Sequence, residues 1–306
     1  MGIVSSLIYD RADLAEIIPA VWGEMYNNYF KAKLVGASFF TDRSSELRGG
    51  GDVLYTPNII AMSANAKTQQ TAVTLQVAAP TKQTLTVQTH KEVSFLIEDI
   101  DAARVKSSYS TLDTLAKNAG FEVAEALEDA IFALFAGFST SVGASTTNLA
   151  DSDILSAIAS METNKVPGIF DGEVAFFLHP MVFWRQVQAI DKFSLAVNAP
   201  GQNPVANKPK GYLYGIPVFT SPNIPYVSST SGRYNALAHK DAIHFATLSL
   251  GAGGSKGSMV GSSGVRVQAN YVPEYLGTLV TADIVYGVTE NRDLAGVRML
   301  THATRA

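Results

Sequence analysis

Two groups of carboxylates are the first residues whose types and spacing could do chemistry. Glu122, Glu125 and Asp129 fall at steps of three and four, which places them along one face of a helix. Glu98, Asp99 and Asp101 cluster shortly before them. General acid–base catalysis needs two carboxylates whose pKa values are driven apart across a bound substrate. A solvated helix face, or one turned towards a basic patch on a neighbour, accounts for the same spacing more simply.

The histidines His239 and His244 lie five residues apart with Asp241 between them. Metal ligands on a helix recur at three or four, as in HExxH, so this pair reads as ordinary polar residues at a strand end. The glycine-rich run from Gly251 to Ser258 resembles a phosphate cradle, but there Lys256 precedes Gly257, whereas a P-loop needs GxxxxGK followed by Ser or Thr. GSSG at 261–264 is one residue short of a GxSxG nucleophile elbow. With no cysteine in the chain, disulfide frameworks, thiolate metal sites and cysteine nucleophiles are excluded. The expectation is a protein that is not an enzyme, with no catalytic, metal-binding or cofactor-binding residues and no cofactor.

Composition points the same way. Of 306 residues 47% are hydrophobic and 16% charged, against about a quarter charged in an average soluble protein. A chain so poor in charge does best with much of its surface hidden against partners. The net charge of −4 and the lack of a Lys/Arg-rich arm argue against gripping nucleic acid as the main task. The N-terminal residues lack the basic start and apolar stretch of a signal peptide, and no run of about 18 apolar residues suggests a membrane span.

The elements that would position these residues follow from periodicity. From Asp10 to about Leu34, apolar residues including Leu14, Ile17, Val21, Trp22, Met25 and Tyr29 form a helical stripe broken at Pro19. After Gly49-Gly50-Gly51, the segment Asp52 to Tyr55 reads as a short strand stopped at Pro57. Val73, Leu75 and Val77 alternate, as do Leu85 and Val87, and the pattern resumes at Val93 and Phe95. With a turn over 78–82, this reads as a long hairpin. Residues 63–90 have few bulky side chains, and a two-stranded hairpin is marginal in water unless its apolar face is covered. Eight strand residues reach roughly 25 Å, so the hairpin is expected to lie on an adjacent subunit. Lys67, Val73, Leu75, Val77, Lys82, Leu85 and Val87 are its candidate contacts, with Glu122, Glu125 and Asp129 on the helix.

The strongest helix signal spans Thr111 to Ala136, with Leu112, Leu115, Ala119, Val123, Leu127, Ala130, Ile131 and Leu134 on its stripe and Gly137 as its cap. At about 1.5 Å per residue it would be about 39 Å long, weakened at Gly120. Beyond it come a helix from Asp151 to Met161 capped by Asp151 or Ser152, a strand at 173–178, a helix from Pro180 to about Ile190, and a Pro/Gly/Asn loop at 198–211. Strands follow, and those at 265–272, 278–288 and 295–300 close the chain.

In this order, THKEVSFLIEDIDAA at 89–103, GYLYGIPVFTSPNIP at 211–225, HKDAIHFA at 239–246 and YGVTENRDLAGVRML at 286–300 resemble the major capsid proteins of tailed bacteriophages. The resemblance covers nearly the whole chain. It implies an α+β Hong Kong 97-type fold: an N-terminal arm (1–49), an extended β-hairpin loop over a neighbour (50–95), a peripheral domain with a long spine helix (96–149), an axial domain (150–262), and closing strands that return to the peripheral domain (263–306). It further implies self-assembly in the host cytoplasm, through hexamers and pentamers, into an icosahedral shell around double-stranded DNA contacted non-specifically. Its expected place is the virion, and its expected partners are further copies, a scaffolding protein, a portal and a decoration protein. Some relatives carry a charged helical scaffolding segment at the N-terminus. None is seen after Met1, so a separate scaffolding protein is expected. Others cross-link a loop lysine to a neighbour's asparagine. Lys67 and Lys82 lie in the loop, but no motif marks the asparagine. An encapsulin-like nanocompartment shell and a soluble α/β enzyme are the alternatives.

Overall fold

The computed structural model describes residues 34–47, 51–59, 62–104, 111–190, 211–228, 231–248, 250, 259–260 and 264–303. The helical stripe expected at 10–34 and most of the loops at 198–211 and 251–264 lie outside them. In chain order the elements are α1 (Gly36–Phe39), β1 (Thr41–Asp42), β2 (Val53–Asn58), β3 (Thr81–Thr86), β4 (Thr89–Glu98), α2 (Asp99–Arg104) and α3 (Thr111–Ala133). Then come β5 (Thr140–Gly143), α4 (Asp151–Thr163), β6 (Val174–Leu178), α5 (Pro180–Arg185), β7 (Tyr212–Leu213), β8 (Ile216–Thr220), β9 (Arg233–His239), β10 (Ile243–Leu248), β11 (Met259–Val260), β12 (Arg266–Val272), β13 (Gly277–Glu290) and β14 (Gly296–Thr301).

The strands form two larger sheets and a ribbon. Among the described residues one sheet runs β1-β10-β13-β12-β11 with β4 along the other edge of β13, the second runs β5-β14-β9-β6-β8-β7, and β2 pairs only with β3. The chain changes sheet between β9 and β10 and again between β13 and β14. Both crossings pair strands from either side of position 262/263. β10, from the 150–262 stretch, pairs with β13, and β14, from the 263–306 stretch, pairs with β9. Periodicity identifies strands but carries no information on their partners.

The long helix forms as its stripe dictates, continuing as a 3-10 turn over Leu134–Ala136. Ala119, Val123, Leu127, Ile131, Phe132 and Phe135 are buried against the sheets. Phe177, at the centre of β6, packs on Phe39, Phe40, Phe132, Phe135 and Phe219 with ring centroids 5.2–5.9 Å apart. β6 is buried on both faces because this cluster covers one side, while α4 and Met161 belong to a second core on the other. α3 ends where Arg298 of β14 donates to the Ala136 carbonyl at 2.8 Å, a cation on the helix's unsatisfied C-terminal end. Gly137 is right-handed there, with φ −74°. A Cβ there would stand 2.7 Å from Glu290 Oε2, the far end of a flexible side chain. Gly120 does not interrupt the helix. At the start of α4 the cap is Ala150, not Asp151 or Ser152, and its N–H donates to the Asp153 carboxylate at 3.0 Å.

Candidate assembly surface

The hairpin departs from the sequence-based expectation in its pairing. Residues 71–77 form no strand. The partner of β3 is β2, in the register Leu54 to Leu85 and Pro57 to Lys82. β2 thus runs through Pro57, which is tolerated because a two-stranded ribbon leaves that strand an open edge. Alternation alone did not make a strand of 71–77, because none of the described residues covers Val73, Leu75 and Val77. They are 67%, 87% and 92% exposed.

Leu85 and Val87 are the opposite case. Each is 3% exposed, buried in a small cluster with Leu47 and Ala246 and flanked by Leu54, Leu248 and Val285. Their side chains fix the hairpin to its own body. The attachment is close, for a Cβ on Gly287 of β13 would overlap the Thr86 carbonyl, and Gln83 donates to the Glu290 carbonyl at 2.5 Å. The side chains of Lys67 and Lys82 are local. Lys67 Nζ donates to the Thr68 carbonyl at 2.7 Å, and Lys82 Nζ lies 4.4 Å from the centroid of the Tyr55 ring.

The acidic helix face divides as well. Glu122 and Asp129 are exposed, whereas Glu125 is half-buried and accepts from Asn223 Nδ2 at 2.7 Å. Glu128, one residue before Asp129, is fully buried. Its carboxylate accepts the backbone N–H groups of Val35 and Gly36 at the start of α1. Burial pushes this carboxyl above its usual range, while those N–H groups pull it back. The signal was present in the sequence: Glu128 lies four residues before Phe132, on the flank of the buried stripe.

The histidine pair is structural too. His239 closes β9, its Nδ1 accepting the Asp241 N–H at 3.1 Å and its Nε2 lying 3.5 Å from Glu173. His244 lies inside β10, buried. Asp241, between them, accepts from the Thr41 hydroxyl at 2.7 Å. Glu98, Asp99 and Asp101 lie at the end of β4 and in α2, far along the sheet from these histidines. The features that stand out are therefore a hairpin loop with bare apolar side chains, and a body that clamps the loop's base and the start of α1.

Residues 81–299 match the model of a family described as phage capsid protein. The chain belongs to that family. Its fold is the Hong Kong 97-type capsid fold. The solved chain from Mycobacterium phage Che8 matches with a TM-score of 0.72 at 18% identity, over 92% of this chain and 96% of that one. The capsid structure of the cyanophage P-SCSP1u gives 0.73 at 13% identity, over 100% and 98%. The mature capsid of bacteriophage PhiM1 gives 0.69 at 11%, over 92% of each chain. No curated protein sequence matches significantly. The protein is a structural one, a major capsid protein that assembles with further copies of itself and resides in the virion. Membership of this family, rather than anything missing from the fold, decides against the enzyme reading. Among the described residues no helix is long and apolar enough to cross a membrane.

Proposed function

We propose that this capsid protein assembles through hexamers and pentamers into an icosahedral shell around double-stranded DNA, with residues 50–95 as an extended loop laid over a neighbouring subunit. The observation that carries the reading is the exposure of Val73, Leu75 and Val77 in a loop with no core of its own. Exposed apolar side chains in an irregular segment are stable when another chain covers them. In this reading α3 is the spine helix of the peripheral domain, and residues 1–49 are the N-terminal arm. The sheet containing β6 and β9 forms most of the axial domain. Residues 263–290 belong to the peripheral domain, and β14 is exchanged into the axial sheet. Assembly takes place in the host cytoplasm with a separate scaffolding protein and a portal, and the finished shell accepts a decoration protein. The slightly acidic chain touches DNA only non-specifically, as a lining along which DNA slides.

The test is deletion of residues 62–79 with a short turn joining the ends of β2 and β3. The expected product is soluble, has the parent's far-ultraviolet circular dichroism, and forms no shells. Shells of normal size from the deletion variant would overturn the loop's assignment.

A further inference from the structure

At the end of the first sheet farthest from the hairpin, the fold exposes a second apolar surface. Leu96, Ile100, Tyr271, Tyr275 and Leu276 are all solvent-exposed there. Part of it is a pocket of ≈ 540 Å³ lined by Glu98, Asp99, Ile100, Glu274, Tyr275 and Leu276, which has acidic side chains at its rim and no cation among the lining residues. It is a built feature. The Asp99 N–H donates to the Leu276 carbonyl at 2.9 Å, and the Tyr271 hydroxyl donates to Asp99 Oδ2 at 3.0 Å. Leu276 is held at φ +45°, a left-handed conformation that a side chain of this size rarely adopts. Burial within the chain does not explain a leucine strained into an exposed position.

What could cover this surface is constrained by charge. Between Asp52 and Glu92 the chain has no Asp or Glu, and the hairpin and its loop carry Lys67 and Lys82. The loop thus offers exposed apolar side chains with cations beside them, and the pocket offers exposed apolar side chains with anions beside them. The same chain cannot bring them together. β3 and β4 run along β13 from Gln83 at Glu290 to Glu98 opposite Gly277. The 14 residues of β13 span about 45 Å at about 3.4 Å each, and the loop leaves from the opposite end.

We infer that the pocket lined by Glu98, Asp99, Ile100, Glu274, Tyr275 and Leu276 receives the Lys67–Lys82 loop of a second copy of this chain. The inference rests on the proposed function and adds the receiving surface and the charge pairing that selects it. Loop at one end and pocket at the other make a head-to-tail contact, the kind that closes copies into rings. Opposite charges at the rim of such a contact set partner choice and register.

The test uses charge reversal in the full-length chain, with assembly read by sedimentation and electron microscopy. The loop variant is Lys67→Glu with Lys82→Glu, and the pocket variant is Glu98→Lys with Glu274→Lys. All four side chains are exposed, and circular dichroism verifies folding. Each variant alone is expected to lower the yield of assembled particles about tenfold. Combining all four changes in one chain is expected to restore it. As a second readout, the cysteine-free parent allows Thr68→Cys with Glu274→Cys, expected to yield disulfide-linked oligomers under oxidation where neither single variant does. Unimpaired assembly of both reversed variants, failure of the fourfold variant to recover, or absence of that cross-link would overturn the inference. If the 62–79 deletion still abolishes shells while the reversals do not, only the receiving surface is wrong. If the deletion assembles normally, the proposed function fails with it.

Discussion

The Glu128 carboxylate of α3 accepts the Val35 N–H at 2.9 and 3.1 Å and the Gly36 N–H at 2.8 Å. A buried acid on the long helix thereby caps the four-residue helix at the point where residues 1–34 join the body. Charge-assisted bonds to otherwise unsatisfied N–H groups are the stronger kind. Glu128→Ala leaves those donors buried without a partner, and should cost about 3 kcal/mol. Urea denaturation measures the loss. Hydrogen exchange should place it at Val35 and Gly36, and Glu128→Gln, which keeps an acceptor, should lose less.

Stability should depend on pH through Glu290. Burial first, then the hydrogen bond and charge of Asp293, push its carboxyl from 4.5 to about 7. The native state therefore holds a proton that the unfolded chain has released. This contribution is largest below pH 4.5 and is lost as the pH rises through about 7. Glu290→Gln should flatten this dependence and be more stable than the parent at pH 8. Burial and Arg233 depress His179 to about 4, which acts in the opposite sense, losing stability as pH falls. The informative quantity is therefore the difference between variant and parent across pH 4–8 in urea melts. A difference that does not change with pH would contradict the assignment.

The hairpin's base and its loop should respond oppositely to truncation. Leu85→Ala removes a side chain packed on Leu47 and Ala246, and should destabilise the monomer by about 3 kcal/mol. Leu75→Ala, at an 87% exposed position, should leave monomer stability within about 0.5 kcal/mol while weakening assembly. Equal losses of monomer stability would mean that Leu75 packs within its own chain.

Two glycines give a paired prediction. A Cβ on Gly120 meets nothing closer than Val267 at 3.9 Å, so Gly120→Ala should stabilise α3 by about 1 kcal/mol. A Cβ on Gly287 would overlap the Thr86 backbone, so Gly287→Ala should destabilise by about 3 kcal/mol and loosen the hairpin's attachment. Thermal melts of the two variants should shift in opposite directions.

These cases mark how far the sequence was legible. The stripe from Ala119 to Ile131 was readable because the helix buries one recurring face, and the strands expected at 265–272, 278–288 and 295–300 form within a residue or two. Val73, Leu75 and Val77 alternate just as well yet form no strand, because alternation requires a surface to be buried against. Leu85 and Val87 look identical to them in sequence and differ only in having Leu47 and Ala246 beneath them. Long-range facts were the ones missed: Glu128 reaching Val35, the pairing of β10 with β13 and of β14 with β9, and Gly137 lying against Glu290. Each depends on residues more than 35 positions apart, beyond any local pattern.

The most direct test of the central claim is electron microscopy of the purified full-length protein, with its mass measured by light scattering. A shell-forming capsid subunit should give closed icosahedral particles, or discrete hexamers and pentamers that close when produced together with the phage's other head proteins. A single monomeric or dimeric species under both conditions would contradict the account.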